Sequence, residues 1–296
     1  MDRRRWLSQV TGAVAAGAAC RAAEGQADER KASRPPAAAL RGRIKQSVCH
    51  WCFRPMALDR LADNAAAMGI RSVELVPPDA WPALKQRGLV CAMTPSHGFK
   101  VGLAHQEEHP QCLDVLRRRI DTTAEAGFPN VITFSGMRRG LPDDVGIDNC
   151  VLGLKKIVGH AEKRRVTICL EMLNSRVATH PMKGHPDYMC DSIEWAVAVC
   201  DRVGSDRLKI LFDIYHVQVM QGDIITRIRK YHDYIAHYHT AGCPGRGEMD
   251  QSQEINYRPV MEAIVETGFQ GYVGQEFIPN GDPMAGLQQA VRVCDV

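Results

Sequence analysis

Eight short runs of apolar and β-branched residues recur along the chain: Ile44–His50, Ser72–Val76, Leu89–Thr94, Asn130–Phe134, Val166–Met172, Lys209–Ile214, Ile235–Thr240 and Tyr272–Phe277. Strict alternation of apolar and polar positions would mark strands with one wet face, whereas near-continuous runs mark strands covered on both. Between the runs lie stretches with apolar residues at helical spacing, at Met56–Met68, 110–126, 143–164, 187–203, 256–267 and 283–294. Three of them stop at Gly69, Gly127 and Gly268, and glycine is the residue that most readily takes the left-handed conformation closing a helix. The stretch after Pro77 is short, and the helix after the sixth run is modest. Strand followed by helix, eight times over, predicts an α/β fold of the (β/α)8 TIM-barrel type across residues 44–296. The competing architecture, an open doubly wound sheet, is disfavoured because no Gly-rich phosphate turn follows the first run. The long segments 96–110, 173–186 and 241–255 all follow strands, at the end of such a barrel where active sites are built.

Composition narrows the class. With 24% charged and 45% hydrophobic residues in a chain of 296, collagen-like, wholly disordered and disulfide-scaffold proteins are excluded. No uninterrupted apolar run reaches the roughly 18 residues that cross a bilayer. The net charge of +3 is unevenly spread: residues 1–45 hold ten Lys+Arg against four Asp+Glu, and the rest hold 27 against 30. The mildly acidic body argues against nucleic acid as a partner. It leaves a small-molecule partner, with self-association open.

Residues 1–43 read as a targeting segment and linker rather than as part of the barrel. Arg3 and Arg4, then Trp6-Leu7 and an Ala/Gly/Val stretch, resemble a twin-arginine export signal, which predicts a periplasmic protein. A cytoplasmic one follows if these residues are an uncleaved tail. Cys20 after Ala18-Ala19 offers lipidation as a further alternative, although Gly17 stands where a larger aliphatic is expected. The eleven cysteines are odd in number and lack paired spacing, so they do not form a disulfide framework. Cys49-His50-Trp51-Cys52 matches C-x-x-C, but no second ligand pair follows at zinc-ribbon spacing, and a strand end is the simpler reading.

The chemistry is concentrated in the last four runs. Glu171, Asp213, His239 and Glu276 each stand near the C-terminal end of an apolar run. A carboxylate in such a strand is costly unless it is paired or holds a cation. Four consecutive strands would bring these groups to one mouth of the barrel, where three carboxylates repel unless positive charge sits between them. Three oxygen donors and one nitrogen suit Mg²⁺, Mn²⁺ or Co²⁺ and do not exclude Zn²⁺. The alternative is a structural polar cluster. Arg246, in a Gly-rich loop, is a candidate to grip a carboxylate or hydroxyls through its planar fork. His97, Glu74 and Glu254 are further substrate-binding candidates, and a structural salt bridge is the alternative for Glu74. His237 is in phase with His239 and should face the interior as its neighbour. Trp51 is a candidate apolar wall.

The segments LEMLN (170–174), FDIYHVQVMQGDI (212–224), PGRGE (244–248) with EIN (254–256), and GFQGYVGQEFIPNGD (268–282) together resemble the xylose-isomerase-like barrel superfamily, and within it the hydroxypyruvate isomerases, over most of residues 45–296. The resemblance implies that Glu171, Asp213, His239 and Glu276 ligate one divalent cation and that Glu171 and Glu276 also move protons. It places His216 where related epimerases hold a substrate-contacting histidine. At position 239 hydroxypyruvate isomerases usually carry Gln, while ketose 3-epimerases carry His. The implied reaction is the interconversion of hydroxypyruvate and 2-hydroxy-3-oxopropanoate by proton transfer between adjacent carbons. A ketose 3-epimerase or other sugar isomerase is the alternative on the same residues. A non-catalytic sugar-binding barrel would not need two such glutamates, and a multi-zinc nuclease would need more ligands and a basic face.

Overall fold

The computed structural model describes residues 40–296. The twin-arginine motif and Cys20 lie outside the described residues. Eight strands form one parallel sheet in the order β2-β1-β8-β7-β6-β5-β4-β3. They are β1 Lys45–Cys49, β2 Ser72–Glu74, β3 Met93–Thr94, β4 Asn130–Thr133, β5 Thr167–Glu171, β6 Leu208–Asp213, β7 Ile235–Thr240 and β8 Tyr272–Gln275. The first and last strands pair directly, with Ser47 opposite Gly274. The remaining seam, between β2 and β3, is closed by backbone bonds rather than a ladder: Val73 N–H donates to Val90 at 3.1 Å, Val90 N–H to Arg71 at 3.2 Å, and Leu75 N–H to Met93 at 2.9 Å. Most of the expected run Leu89–Thr94 thus bridges the seam without regular strand geometry.

The helices are α1 Leu58–Ala67, α2 Trp81–Lys85, α3 His109–Ala126, α4 Asp143–Lys155, α5 Val158–Arg164, α6 Ile193–Val203, α7 Ile214–Met220, α8 Ile224–Tyr231, α9 Tyr257–Glu266 and α10 Pro283–Val293. Each strand is buried along nearly its whole length; β4 and β5 have no exposed or half-exposed residue. That is the physical content of an unbroken apolar run: side chains on one face fill the barrel, and those on the other pack under the helices.

Three boundaries differ from expectation for local reasons. The single helix expected over 143–164 is broken, because the backbone tightens to three-residue bonds at Lys156 and Ile157 and turns Ile157 fully into the core. The helix expected from 187 starts at Ile193, since the Ser192 hydroxyl caps it by accepting from Trp195 N–H at 3.2 Å; such a cap is worth about 1 kcal/mol. At the other end of the barrel unit, Leu40 packs against the core and Arg41 N–H bonds to Asp295 at 2.9 Å, so residues assigned to the linker by composition are anchored to the barrel. Among the described residues no helix is long and apolar enough to cross a membrane.

Candidate active site and cation-binding cluster

The parallel register assembles the site. Asp213 ends β6 and lies directly opposite His239 in β7. Glu171 ends β5, opposite Leu211, two residues before Asp213 and therefore in the same phase. His239 pairs with Gly274, and Glu276 follows two residues later, just past β8, with its N–H bonded to Thr240 at 2.9 Å. Side chains two apart on a strand share a face, so all four project into the barrel mouth. One donor atom from each of Glu171, Asp213, His239 and Glu276 lies within 4.8 Å of the other three. All four residues are buried.

Asp213 does local work as well: its Oδ1 accepts from His216 N–H at 3.1 Å and so caps α7. This fixes His216 one turn into the helix, above the cluster. Its Nδ1 accepts from the Asn174 side chain at 2.6 Å, so the proton is on Nε2. That nitrogen is fully buried and has no hydrogen-bond partner, although Asp213 Oδ2 is 3.6 Å away. Burial, reinforced by the Arg246 charge, holds His216 well below the usual imidazole range, so it stays a neutral donor aimed at the site.

Arg246 has a positive φ of 54° between two glycines, a strained backbone that turns its side chain inward. The guanidinium reaches Asp213 Oδ2 at 3.1 Å and Glu276 Oε2 at 2.5 Å, and it donates to the Met182 carbonyl at 2.6 Å. It also lies over the Trp51 and Tyr215 rings. Trp51, expected as an apolar wall, has a polar role too: its indole N–H donates to Glu276 Oε1 at 2.9 Å.

These surroundings separate the two glutamates. Burial raises Glu171 to about 7, helped by the negative charge of Glu276 and Asp213 and opposed by the His239 imidazole 3.7 Å away. For Glu276 the burial penalty is outweighed by His239 and Arg246, which hold it well below the usual carboxylate range. Asp213 is raised to about 6, chiefly by burial, with Arg246 opposing.

The cluster opens into a cavity of about 280 Å³ lined by Glu171, Glu276 and Arg246 together with apolar residues such as Trp51, Leu75, Ile132, Phe134 and Leu173, and with His97, Phe99 and His185. His97 therefore stands where the sequence suggested. Its ring bonds to Val101 O at 2.9 Å and to Thr133 Oγ1 at 2.9 Å. Three of the substrate-binding candidates do not line the cavity: His216 is fully buried beside Asp213, and two others also lie outside it. Glu254 is on the exposed surface, bonded to Gln218 at 3.1 Å, and does not line the cavity; its neighbour Ile255 is the residue that turns inward. Glu74 is completely buried and does not line the cavity, with Oε2 at 2.8 Å from His237 and 3.2 Å from His239. His237 faces the interior as its phase required. Cys49 and Cys52 are buried free thiols, and Cys49 Sγ is 3.7 Å from His239 Nε2. Sequence reasoning missed Asn174 and His185. Both fall in or beside the long 173–186 segment, but nothing in a sequence shows which loop residues turn inward.

The donor set suits a divalent cation. His239 Nδ1 is fully buried without a hydrogen-bond partner, since Glu276 Oε2 at 2.9 Å is off its bonding direction. Three carboxylates around one imidazole nitrogen make a predominantly oxygen site of the kind that holds Mg²⁺, Mn²⁺ or Co²⁺.

Fold and cluster together define an α/β-barrel of a recognised class. Residues 62–295 match the family described as xylose isomerase-like TIM barrel, and the chain belongs to it. Its relatives include a putative hydroxypyruvate isomerase of Homo sapiens, 33% identical over 79% of this chain and 78% of the relative. Another is a 2-oxo-tetronate isomerase of Cupriavidus necator, 32% identical over 78% of this chain and 90% of the relative. Among solved structures, an L-ribulose 3-epimerase superposes with a TM-score of 0.70 at 16% identity, covering 83% of this chain and 92% of its own. That likeness shows the fold.

Proposed function

We propose that this enzyme is a divalent-cation-dependent isomerase that interconverts hydroxypyruvate and 2-hydroxy-3-oxopropanoate. The observation that carries the reading is the meeting of Glu171 and Glu276 with Asp213 and His239 in one buried cluster, beside the only Arg or Lys among the residues lining the cavity, Arg246. The names of the curated relatives support the isomerase class.

The residues divide the work as follows. Glu171, Asp213, His239 and Glu276 would hold the cation, which supplies electrophilic stabilisation of negative charge developing on substrate oxygens. One of the two glutamates takes a proton from C3, giving an enediolate, and the other delivers a proton to C2 while the C3 hydroxyl proton passes to the C2 oxygen. Atoms and charge balance without a further reactant. His216 is fully buried and does not line the cavity; its Nε2–H, 3.6 Å from Asp213 Oδ2, would steady that carboxylate. Arg246 is the partner for the substrate carboxylate, because burial depresses His97 and, with the Arg246 charge, holds His185 at about 4, leaving both neutral. Burial of the cluster limits water that would exchange or quench the intermediate.

Assay of the full chain with Mn²⁺, Mg²⁺ or Co²⁺ on hydroxypyruvate, a 2-oxo-tetronate and a panel of ketoses tests the reading. Turnover of ketoses with none of the keto acids would replace it with the second reading, a ketose 3-epimerase, which His239 favours. His239→Gln is the companion: under the isomerase reading it keeps the cation and much of the hydroxypyruvate activity. We also propose export by the twin-arginine route on the strength of Arg3-Arg4 and Trp6-Leu7. A reporter fused to residues 1–43 that stays in the cytoplasm overturns that.

A further inference from the structure

We infer that Glu74 is the positioning residue for His239, fixing which ring nitrogen faces the cluster. This rests on the cation-site reading above. His239 has two nitrogens in two different surroundings. Nδ1 faces Glu276 and Glu171, at 2.9 and 3.7 Å. Nε2 faces away, toward Glu74 Oε2 at 3.2 Å in hydrogen-bond alignment. A carboxylate accepts and cannot donate, so Glu74 requires the proton on Nε2 and leaves the Nδ1 lone pair for the cation. Carboxylates and carbonyls that orient a ligating imidazole in this way also make it a better donor.

The rest of the barrel interior is shaped around this contact. Glu74 ends β2 as the lateral partner of Cys49 in β1, so it must reach past β1 and β8 to meet β7. It does so through space left by Gly274, which pairs with both Ser47 and His239. A Cβ at Gly274 would come within 2.7 Å of Glu74 Oε1 and 2.8 Å of His239 Cδ2, and the Gly274 backbone is not in the left-handed region that would by itself demand glycine. The glycine therefore serves the Glu74–His239 approach. Glu74 has no exposure and is not among the residues lining the cavity, which removes a direct role on substrate. His237 Nε2 lies 2.8 Å from the same oxygen but off the hydrogen-bond direction, so His239 is the imidazole that Glu74 engages in alignment.

The test is cation binding by the purified full chain, with Mn²⁺ followed calorimetrically and Co²⁺ by its visible absorption. Glu74→Ala should weaken Mn²⁺ about 10–100-fold and change the Co²⁺ band, with the far-UV circular dichroism of wild type. Glu74→Gln retains an acceptor oxygen and should fall between the two. Gly274→Ala leaves every donor in place but crowds both side chains, and should weaken Mn²⁺ as well. A purely structural Glu74 would lower the melting temperature and leave Mn²⁺ affinity and the Co²⁺ spectrum of the folded protein unchanged, which overturns the inference. If Glu74→Ala does not fold, wild-type affinity in both Glu74→Gln and Gly274→Ala overturns it equally. Failure of the cation-site reading itself is distinguishable, since it shows in wild type, as no binding of Mn²⁺ or Co²⁺ at all.

Discussion

The two halves of the barrel mouth are built from the same strand geometry and do opposite things. At or beside the ends of β5 to β8 stand four groups that could hold a cation: Glu171, Asp213, His239 one residue before the end of β7, and Glu276 one residue past β8. From β1 to β4 the segments after the strands contribute Trp51, Leu75, Pro95 and Phe134 to the same cavity. The charged half is held by ion pairs that restrain one another, and the apolar half by packing such as the edge-on contacts of Phe134 with His97 and Phe99 at 5.8 and 6.4 Å. A substrate in the cavity would therefore meet its chemistry in residues after β5 to β8 and much of its shape limit in residues after β1 to β4, with Trp51 joining the two through its bond to Glu276. Substitutions in the charged half should change rate with little loss of stability, and those in the apolar half the reverse.

The largest effect expected is on rate. Glu171→Gln and Glu276→Gln keep the side-chain volume but exchange one acceptor oxygen for a donor and cannot move a proton, so each should lower kcat by about 10²–10⁴-fold with melting within a few degrees of wild type. Steady-state kinetics and calorimetry on the same samples check both. A variant keeping more than about a tenth of the wild-type rate removes that residue from the proton path and blurs the division between the halves.

Arg246→Lys comes next. A lysine keeps the charge but cannot hold Asp213, Glu276 and a substrate carboxylate together through one planar fork. A charged hydrogen bond contributes about 1.5–3 kcal/mol, so KM for hydroxypyruvate should rise roughly tenfold or more while kcat falls less. If the substrate is a neutral ketose, KM should hardly move.

How far these residues could be read from the sequence depends on the kind of anomaly each makes. A carboxylate at the end of β5 or β6 stands out because its neighbours are Leu170 and Phe212, both fully buried, and the strand period then dictates the face. The strands were legible for the same reason, with β3 the exception, since a seam closed through Val90 leaves an apolar run without regular pairing. What a sequence does not carry is through-space partnership. Glu74 is as anomalous as Glu171, but its partner in β7 is 165 positions away, and only the barrel's closure shows that it points beneath the site instead of into it. Arg246 was legible as a loop cation, but its attachment to two of the cluster carboxylates was not.

Phe134→Ala tests the apolar half. Truncating a buried phenylalanine costs about 3–5 kcal/mol, or roughly 6–20 °C at the 2–4 °C per kcal/mol of a large domain. The same change should leave kcat on hydroxypyruvate within a fewfold of wild type, because no polar group of the cluster is bonded to this ring. A rate loss as large as that of Glu171→Gln would mean that the wall positions the reacting carbon, and the contrast between the halves would fail.

The smallest effect should come from Glu254. It lies in the loop following β7, between Cys243, whose carbonyl accepts its N–H at 2.7 Å, and the exposed Gln218 contact. By sequence alone it ranks with Glu74, as an acid close to the proposed ligands. Its carboxylate faces solvent, where a single polar contact contributes little, and surface substitutions of this kind stay within about 0.5 kcal/mol. Glu254→Ala should therefore leave kcat/KM within about twofold and the cation affinity unchanged. A loss of tenfold or more would require the 241–255 loop to close over bound substrate and carry Glu254 inward, which would extend the charged half beyond the strand ends. Measuring the variant with both hydroxypyruvate and a four-carbon 2-oxo acid distinguishes such closure from a general loss of stability, because only closure onto the substrate depends on its length.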